Sequence, residues 1–518
     1  MQTFTVHKPA IHSRHGLVAA QNRHAAEAGA AVLARGGNAM DAAIVTALVL
    51  SVVEPWLSGI GGGGFLLHAD GQTGAVDTLD FNVLAPRGLN SADYPLVGGN
   101  DGDWFNWPAV QDNRNVSGYG SICVPGAIAG FASALEKYGT LSWADALQPA
   151  IEHATQGLEL DWFTCLTLAI DAAGLAQDPA SAALFLDEGR APRASDRTPA
   201  ARRPLPDTVR LLKRLAQGGA REFYEGDTAR TLARDLEAGG SALRFDDFAN
   251  YQPVWAPPLV GHYRGHQVQA MPGLSGGPTF LEACAALTAS ALGPATSNAE
   301  AALIHATAIR AAYEQRLTKM GHAATADAGC TSHVSVVDAS GSMVSLTNTL
   351  LSRFGAKVVM PGAGFLMNNG MMWFDPRPGQ PNSMAAGAKP LANMCPLILQ
   401  RDGRPWLAIG AAGGRTIFPT VLQLVSGLLD RGLSLEDAFN APRLDASTAT
   451  IKVDQRAGPE VAAAVASRFP VELVQDTVYP VHFAIPSAVL REAGRNQGMA
   501  HATSPWAAVV VGGLADGA

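Results

Sequence analysis

Residues 331–349 read TSHVSVVDASGSMVSLTNT, and the folding of this stretch decides the architecture. On both sides of Ala339-Ser340-Gly341-Ser342, apolar β-branched residues alternate with Ser, Thr and His, the period of two that marks strands. The four intervening residues supply a turn, so the stretch predicts a β-hairpin. With the turn centred on Ser340-Gly341, Ser332 lies opposite Thr349, which sets Thr349 beside Thr331. The ten residues before Thr331, GHAATADAGC (321–330), are small and polar, with nothing to hold them in a core. Two threonines therefore meet where a leader runs into a strand. Such a pair also has an ordinary use, hydrogen bonding across strands.

A second stretch points to the same chemistry. Leu407 to Ala412 is an apolar strand that ends in Gly413-Gly414-Arg415, and Ile417 to Leu429 continues as a helix. Paired glycine N–H groups at a strand-to-helix junction can face a developing oxyanion. A Gly pair in isolation is also a plain tight turn.

Nearer the start, residues 21–36 predict a helix ended by Gly36-Gly37. Asn38, with Asp41 three residues on, opens a second helix with a variant of the capping box. That helix, AMDAAIVTALVLSVV, is apolar nearly all round and stops at Glu54-Pro55, which marks it as a buried core helix. The following SGIGGGGF (58–65) satisfies GxGxxG, but a helix precedes it and a strand-like FLLHA follows. A dinucleotide fingerprint needs the reverse context, so close backbone approach in a tight turn is the reading. Residues 94–120 and 178–206 read as surface loops, and a helical pattern covers 208–251. The segment 263–280 reads as a strand running into a turn, followed by helices over about 279–292 and 299–320.

Composition narrows the function classes. The 518 residues are 47% apolar and 16% charged, with a net charge of −8, which gives no electrostatic support for a nucleic-acid partner. Five widely spaced cysteines show neither zinc-ligand spacing nor a disulfide framework. No apolar signal region opens the chain, and the greasy run from Ala42 to Val53 is too short to span a bilayer. No membrane association and a cytoplasmic setting are expected. His262 and His266 are spaced i,i+4 but flank YRG in an apparent strand, where helical ligand spacing has no meaning. No metal and no cofactor are assigned.

Taken in order, GGNAMDAAI (36–44), SGIGGGGF (58–65), VPGAIAGF (124–131), EFYEGDTA (222–229), YRGHQVQAMP (263–272), SGG (275–277), TSHVSVVD (331–338), GAAGG (410–414) and APRLDA (441–446) resemble the γ-glutamyltranspeptidase (glutathione hydrolase) family of N-terminal-nucleophile hydrolases. The resemblance runs from about residue 15 to the C-terminus. It implies an α+β fold, a four-layer αββα sandwich, made as one precursor that cuts itself between Cys330 and Thr331. Residues 1–330 then form a large subunit and 331–518 a small one, intertwined as one domain. Thr331 is the implied nucleophile and its freed α-amino group, with an ordinary pKa near 8, the implied base. Thr349 matches the family's helper Thr, and Gly413 and Gly414 its oxyanion pair.

Departures from the family pattern bear on the substrate. Where γ-glutamyl-specific members carry Arg in F-R-E-x-A-P, this chain has Asn82 in Phe81-Asn82-Val83-Leu84-Ala85-Pro86. After Asn368-Asn369, Trp373 stands where a carboxylate is expected. The Ser-Ser pair before M-x-P becomes Ala392-Asn393, and an Asn past the helper Thr becomes Leu351. Losing the anion clamp and the cation clamp together argues against an amino-acid zwitterion as the acyl group. NNGMMWFDPRPGQPNS (368–383) is similar to the branch that includes oxamate amidohydrolase. The resulting expectation is a self-processing amidohydrolase that cleaves a small oxamate-like acyl amide. Asn82, Asn393, Arg415 and Trp373 are the substrate-binding candidates, and Arg353 is a further cation near Thr349. Two alternatives stay open: a γ-glutamyl hydrolase or transferase with a different glutamyl site, and an inactive relative serving as a binding protein. The partners expected are a small-molecule amide and the two subunits of one precursor; pairing of processed heterodimers into a dimer is left open.

Overall fold

A computed structural model describes residues 6–100, 107–194, 199–322 and 332–513. Its strands are β1 (Ile11–Ser13), β2 (Gly16–Ala20), β3 (Gly63–Ala69), β4 (Val76–Phe81), β5 (Val254–Ala256), β6 (Leu259–Tyr263), β7 (His266–Ala270), β8 (Ser332–Val337), β9 (Met343–Thr349), β10 (Leu397–Arg401), β11 (Arg404–Ala412), β12 (Ile485–Glu492), β13 (Arg495–Ala500) and β14 (Ala508–Gly512), with a few short strands besides. They form two seven-stranded antiparallel sheets, ordered β14-β2-β8-β9-β3-β4-β5 and β1-β13-β12-β11-β10-β7-β6. Both sheets combine strands from before and after residue 331.

Alternation along each strand sorts the side chains into layers. Val334, Val336, Val344 and Leu346 face the helices Arg23–Ala34, Ala39–Val53 and Ala127–Tyr138, packing with Ile44, Leu48 and Phe131. On the far side, Leu399, Leu407 and Ile409 of the second sheet pack under the helices Asn298–Lys319 and Ile417–Leu429, against Ile309, Phe418 and Val421. Between the sheets lie Phe65, Leu67, Met343, Ile398, Ala408 and Val489. The expected αββα sandwich is thus present.

The local readings hold in most places. Asn38 caps the helix Ala39–Val53 through a reciprocal box: its Oδ1 accepts from Asp41 N at 3.0 Å, and its own N–H donates to Asp41 Oδ2 at 3.0 Å. The glycine run is a close approach and not a nucleotide loop. A Cβ at Gly62 would sit 2.0 Å from the Thr349 carbonyl oxygen, and one at Gly64 2.0 Å from that of Thr347. The Gly62 carbonyl in turn accepts from Gly126 N and Ala127 N at the start of the helix Ala127–Tyr138.

Three readings need correction. The hairpin register is one residue away from the expected one: Ser332 pairs with Asn348 and Val337 with Met343. The loop is Asp338–Ser342, centred on Ser340, because Asp338 Oδ1 accepts from Ser342 N and Ser340 Oγ and tightens a five-residue turn. His262 and His266 lie on two strands, not one, with a turn at Arg264-Gly265 (φ +47° and +80°) and Tyr263 opposite His266. The stretch 178–206, whose composition predicts a surface loop, contains the helix Pro179–Phe185, where Asp178 accepts from Ser181 N at 2.8 Å.

Replacing Gly62 by Ala should cost on the order of 3 kcal/mol, because backbone must move to admit the methyl group. Urea denaturation of the purified chain checks this; an unchanged midpoint would show that the contact yields freely.

Candidate active site

Thr331 and Cys330 lie outside the described residues. Ser332, to which Thr331 is joined, is buried and paired with Asn348, the neighbour of Thr349. Thr349 is fully buried at the end of β9, and its Oγ1 accepts from Leu351 N at 2.7 Å. Leu351 adopts φ +85°, a conformation that Asn tolerates and Leu rarely does. Strain of about 1–3 kcal/mol there is offset by burying the leucine in the inter-sheet layer, worth about 1.5–3 kcal/mol.

Beneath the hairpin the inter-sheet layer turns polar. His333 Nε2 and Nδ1 lie 2.9 Å from Ser335 Oγ and Thr347 Oγ1. Ser335 Oγ donates to the Ser487 carbonyl of β12 at 3.2 Å, and Ser345 Oγ to the Ile409 carbonyl of β11 at 3.1 Å. These two bonds tie the sheets together. Because the Ser335 proton is committed to Ser487, His333 donates from Nε2 and accepts from Thr347 at Nδ1, which defines a neutral tautomer. Burial pushes its pKa down to about 3.

The glycine pair closes the end of β11. Gly413 has φ +141° and Gly414 φ +59°, and a Cβ at Gly413 would lie 2.7 Å from Ala484 Cα. Thr416 donates to the Gly413 carbonyl from both N (3.2 Å) and Oγ1 (2.8 Å), fixing the turn that leads into the helix Ile417–Leu429. N–H groups at a helix entrance have no intrahelical acceptor and are suited to an anion.

The substrate-binding candidates divide into two kinds. Asn82, Asn393 and Trp373 are buried, and each holds an N–H donor without a partner: Asn82 Nδ2, Asn393 Nδ2 and Trp373 Nε1. Asn82 Oδ1 is taken by Val83 N, and Asn393 Oδ1 by Arg316 Nη2, both at 2.9 Å. Trp373 belongs to the inter-sheet apolar cluster, as do Val83 and Ala392, the chain neighbours of the two asparagines. The arginines are engaged elsewhere. Arg415 donates to the Ser447 carbonyl and lies over the Tyr313 ring, while Arg353 is ion-paired to Asp171. Asn368 and Asn369 serve as pins: Asn368 donates to Gly61 O and Cys123 O, and Asn369 to Val116 O and Ser352 Oγ.

Two cations escaped the sequence reading. Arg316, 2% exposed on the helix Asn298–Lys319, reaches Thr279 Oγ1 and Asn393 Oδ1 at 2.9 Å each. Lys389 pairs with Asp80 at 2.7 Å, two residues before Asn82. Lys389 could have been noticed within the segment that carries Asn393. Arg316 could not, because nothing local links a helix residue to an asparagine 77 positions away. Among the described residues no group of His, Cys, Asp and Glu is arranged to hold a metal ion, and no helix is long and apolar enough to cross a membrane.

Comparison with known proteins places the chain in a family. The family model described as Gamma-glutamyltranspeptidase matches residues 25–328 and 317–504. Acylase ACY 1 proenzyme of Pseudomonas sp. (strain SE83) is 32% identical over 501 residues, covering 89% of this chain and 88% of the relative. Glutathione hydrolase proenzyme of Escherichia coli (strain K12) is 30% identical over 487 residues, covering 84% and 81%. The crystal structure of cephalosporin acylase from Bacillus halodurans superposes with a TM-score of 0.83 over 98% of both chains at 23% identity, a likeness of fold. Fold and family match together are those of a self-processing amidohydrolase of the N-terminal-nucleophile class. The chain belongs to the γ-glutamyltranspeptidase family, as a proenzyme whose large and small subunits come from one precursor.

The His333 environment sets a pH dependence. A folded pKa near 3 lies below the ordinary value near 6.5, so the unfolded chain binds the proton first as pH falls. The contribution of this group to stability is whole above about pH 6.5 and declines toward pH 3. Denaturant midpoints should be lower at about pH 5 than at about pH 7.5, with a smaller difference in His333→Gln. An equal difference in the variant would assign the effect to other groups.

Proposed function

We propose that this chain hydrolyses small acyl amides of oxamate type, with Thr331 as nucleophile. In processing, Thr331 Oγ attacks the Cys330 carbonyl and the acyl group shifts from nitrogen to oxygen. Water then cleaves the ester, leaving a Cys330 carboxylate and a free Thr331 α-amine. In turnover that amine takes the hydroxyl proton as Oγ attacks the substrate carbonyl. The N–H groups of Gly413 and Gly414 stabilise the tetrahedral oxyanion, and Thr349 orients the nucleophile. The proton passes to the leaving nitrogen, which departs as ammonia from a primary amide, and water hydrolyses the acyl-Thr ester.

The observation that carries the substrate class is the set of buried, unpartnered donors on Asn82, Asn393 and Trp373. A buried donor without an acceptor costs about 1–3 kcal/mol, so three of them suit an acyl group rich in acceptor oxygens. A carboxylate next to the scissile carbonyl, as in oxamate, supplies those acceptors as charge-assisted bonds. Arg316 behind Asn393 adds positive potential without direct contact. A γ-glutamyl group would also bring an α-ammonium, and Asp375, the acidic residue of the Asn368–Asp375 segment, is held by Arg377 at 2.6 Å. The γ-glutamyl reading keeps one observation in its favour, the 30% identity to a glutathione hydrolase proenzyme.

Intact-mass measurement should find two fragments, the smaller starting at Thr331, and an uncut Thr331→Ala chain. A single uncut wild-type chain would remove the nucleophile assignment. With processed enzyme, ammonia release from oxamate should far exceed γ-glutamyl release from glutathione, and the opposite ranking would install the γ-glutamyl reading. Gly413→Ala should lower kcat by about 10²–10³. Asn393→Asp should raise KM for oxamate about tenfold or more, through repulsion between carboxylates; an unchanged KM would take Asn393 out of the acyl pocket.

A further inference from the structure

The helical layer outside the second sheet encloses a cavity of about 500 Å³, within the range of about 300–1,000 Å³ typical of small-molecule sites. Its walls come from the helices Asn298–Lys319, Ile417–Leu429, Leu435–Asn440 and Pro459–Ala466, and none of its lining residues belongs to the site described above. Much of the lining is small or aliphatic, including Ala301, Leu424, Ala438 and Val461. Leu433, 37% exposed, stands at its margin.

Two arginines interrupt this apolar wall. Arg443 is 4% exposed; it donates to the Phe439 carbonyl and lies 3.3 Å from His501 Nδ1, and its Nε is buried without a partner. Arg431 reaches Asn298 Oδ1 at 3.1 Å, and its Nε is likewise buried without a partner. Among the described residues, neither arginine has a carboxylate within ion-pair distance; the carboxylates that act on Arg443 from farther off, Asp476 and Asp454, are both paired to Arg456 on the same cavity, at 3.7 and 2.6 Å. Asp437, the acidic residue of the lining, is exposed and accepts from Ser434 Oγ at the N-cap of its own helix. His305 contributes no charge: burial lowers its pKa to about 4, and its Nε2 lies 2.8 Å from Ser426 Oγ.

Arg443 is buried and Arg431 half-buried, and each keeps an unpartnered, buried Nε on the wall of one largely apolar cavity. Buried donors without acceptors are costly, and an anion from outside the chain would satisfy both. The planar fork of a guanidinium matches a carboxylate, and the aliphatic walls match a hydrocarbon body. We propose that this cavity binds a small organic carboxylate, with the anionic end between Arg431 and Arg443 and the apolar body against Leu424, Ala438 and Val461. The helix Ile417–Leu429 forms one wall and begins directly after Gly414-Arg415-Thr416, so an occupant bears on the same rigid element that the glycine turn opens.

The test uses the full-length protein. Crystals soaked with 4-bromobenzoate should show anomalous bromine density inside the cavity, with the carboxylate on the two arginines. Calorimetric titration with benzoate should show binding that weakens about tenfold or more, about 1.4 kcal/mol, in Arg431→Gln. Ala438→Leu, which fills the cavity without touching a charge, should weaken it too, and thermal melts establish that both variants fold. Inorganic phosphate, which lacks the apolar body, should bind far more weakly. Bromine found only elsewhere or nowhere, equal benzoate affinity in the folded variants, or phosphate binding as well as benzoate would each overturn the proposal.

Discussion

The end of the central hairpin depends on a contact of backbone on backbone. Gly62 and Gly64 lie so near the carbonyls of Thr349 and Thr347 that no side chain fits between them. This lets β3 pair with β9 along its whole length, from Met343↔Ala69 to Thr349↔Gly63. It also brings the Gly62 carbonyl to the head of the helix Ala127–Tyr138. Three elements are thereby fixed around the end of the hairpin, and the place where a nucleophile would have to work inherits their rigidity.

The second organising feature is the polar seam inside the sandwich. Interiors ordinarily exclude His, Ser and Thr unless each group is satisfied. Here Thr347, His333 and Ser335 are bonded in a row, and Ser335 and Ser345 donate to two carbonyls of the opposite sheet. A fully bonded seam specifies how the sheets sit over one another more tightly than aliphatic contacts do. That relative placement sets the distance between the hairpin and the glycine turn, whose parts come from different sheets. Precision at the site follows from bonds made beneath it.

Much of this was legible in the sequence, and the failures are instructive. The Asn38 cap, the buried helix after it and the strand-to-helix change at Gly413-Gly414 are local patterns, and each appears where its residues stand. The hairpin was legible but its register was not, because Asp338 draws two donors of the turn and shifts the centre by half a residue. The helix Pro179–Phe185 carried a readable signal, Asp178 followed by Pro179, lost within an Ala-, Pro- and Arg-rich stretch. The pairing of Arg316 with Asn393, the ion pair that occupies Arg353 and the His262–His266 hairpin depend on elements far apart or on one turn. Composition and periodicity carry no trace of the first two.

Strands from both sides of residue 331 share each sheet: β2 lies between β14 and β8, and the block β13-β12-β11-β10 lies between β1 and β7. A cut at the proposed position would therefore separate no domains. It would convert one chain that finds its fold unimolecularly into two chains, neither of which owns a complete sheet. Refolding after denaturation would then depend on concentration, with each fragment exposing unpaired strand edges until it met the other. The mature protein would owe its persistence to slow unfolding more than to an accessible equilibrium. Assembly has to be finished before the bond is broken, which makes the uncut precursor the folding species.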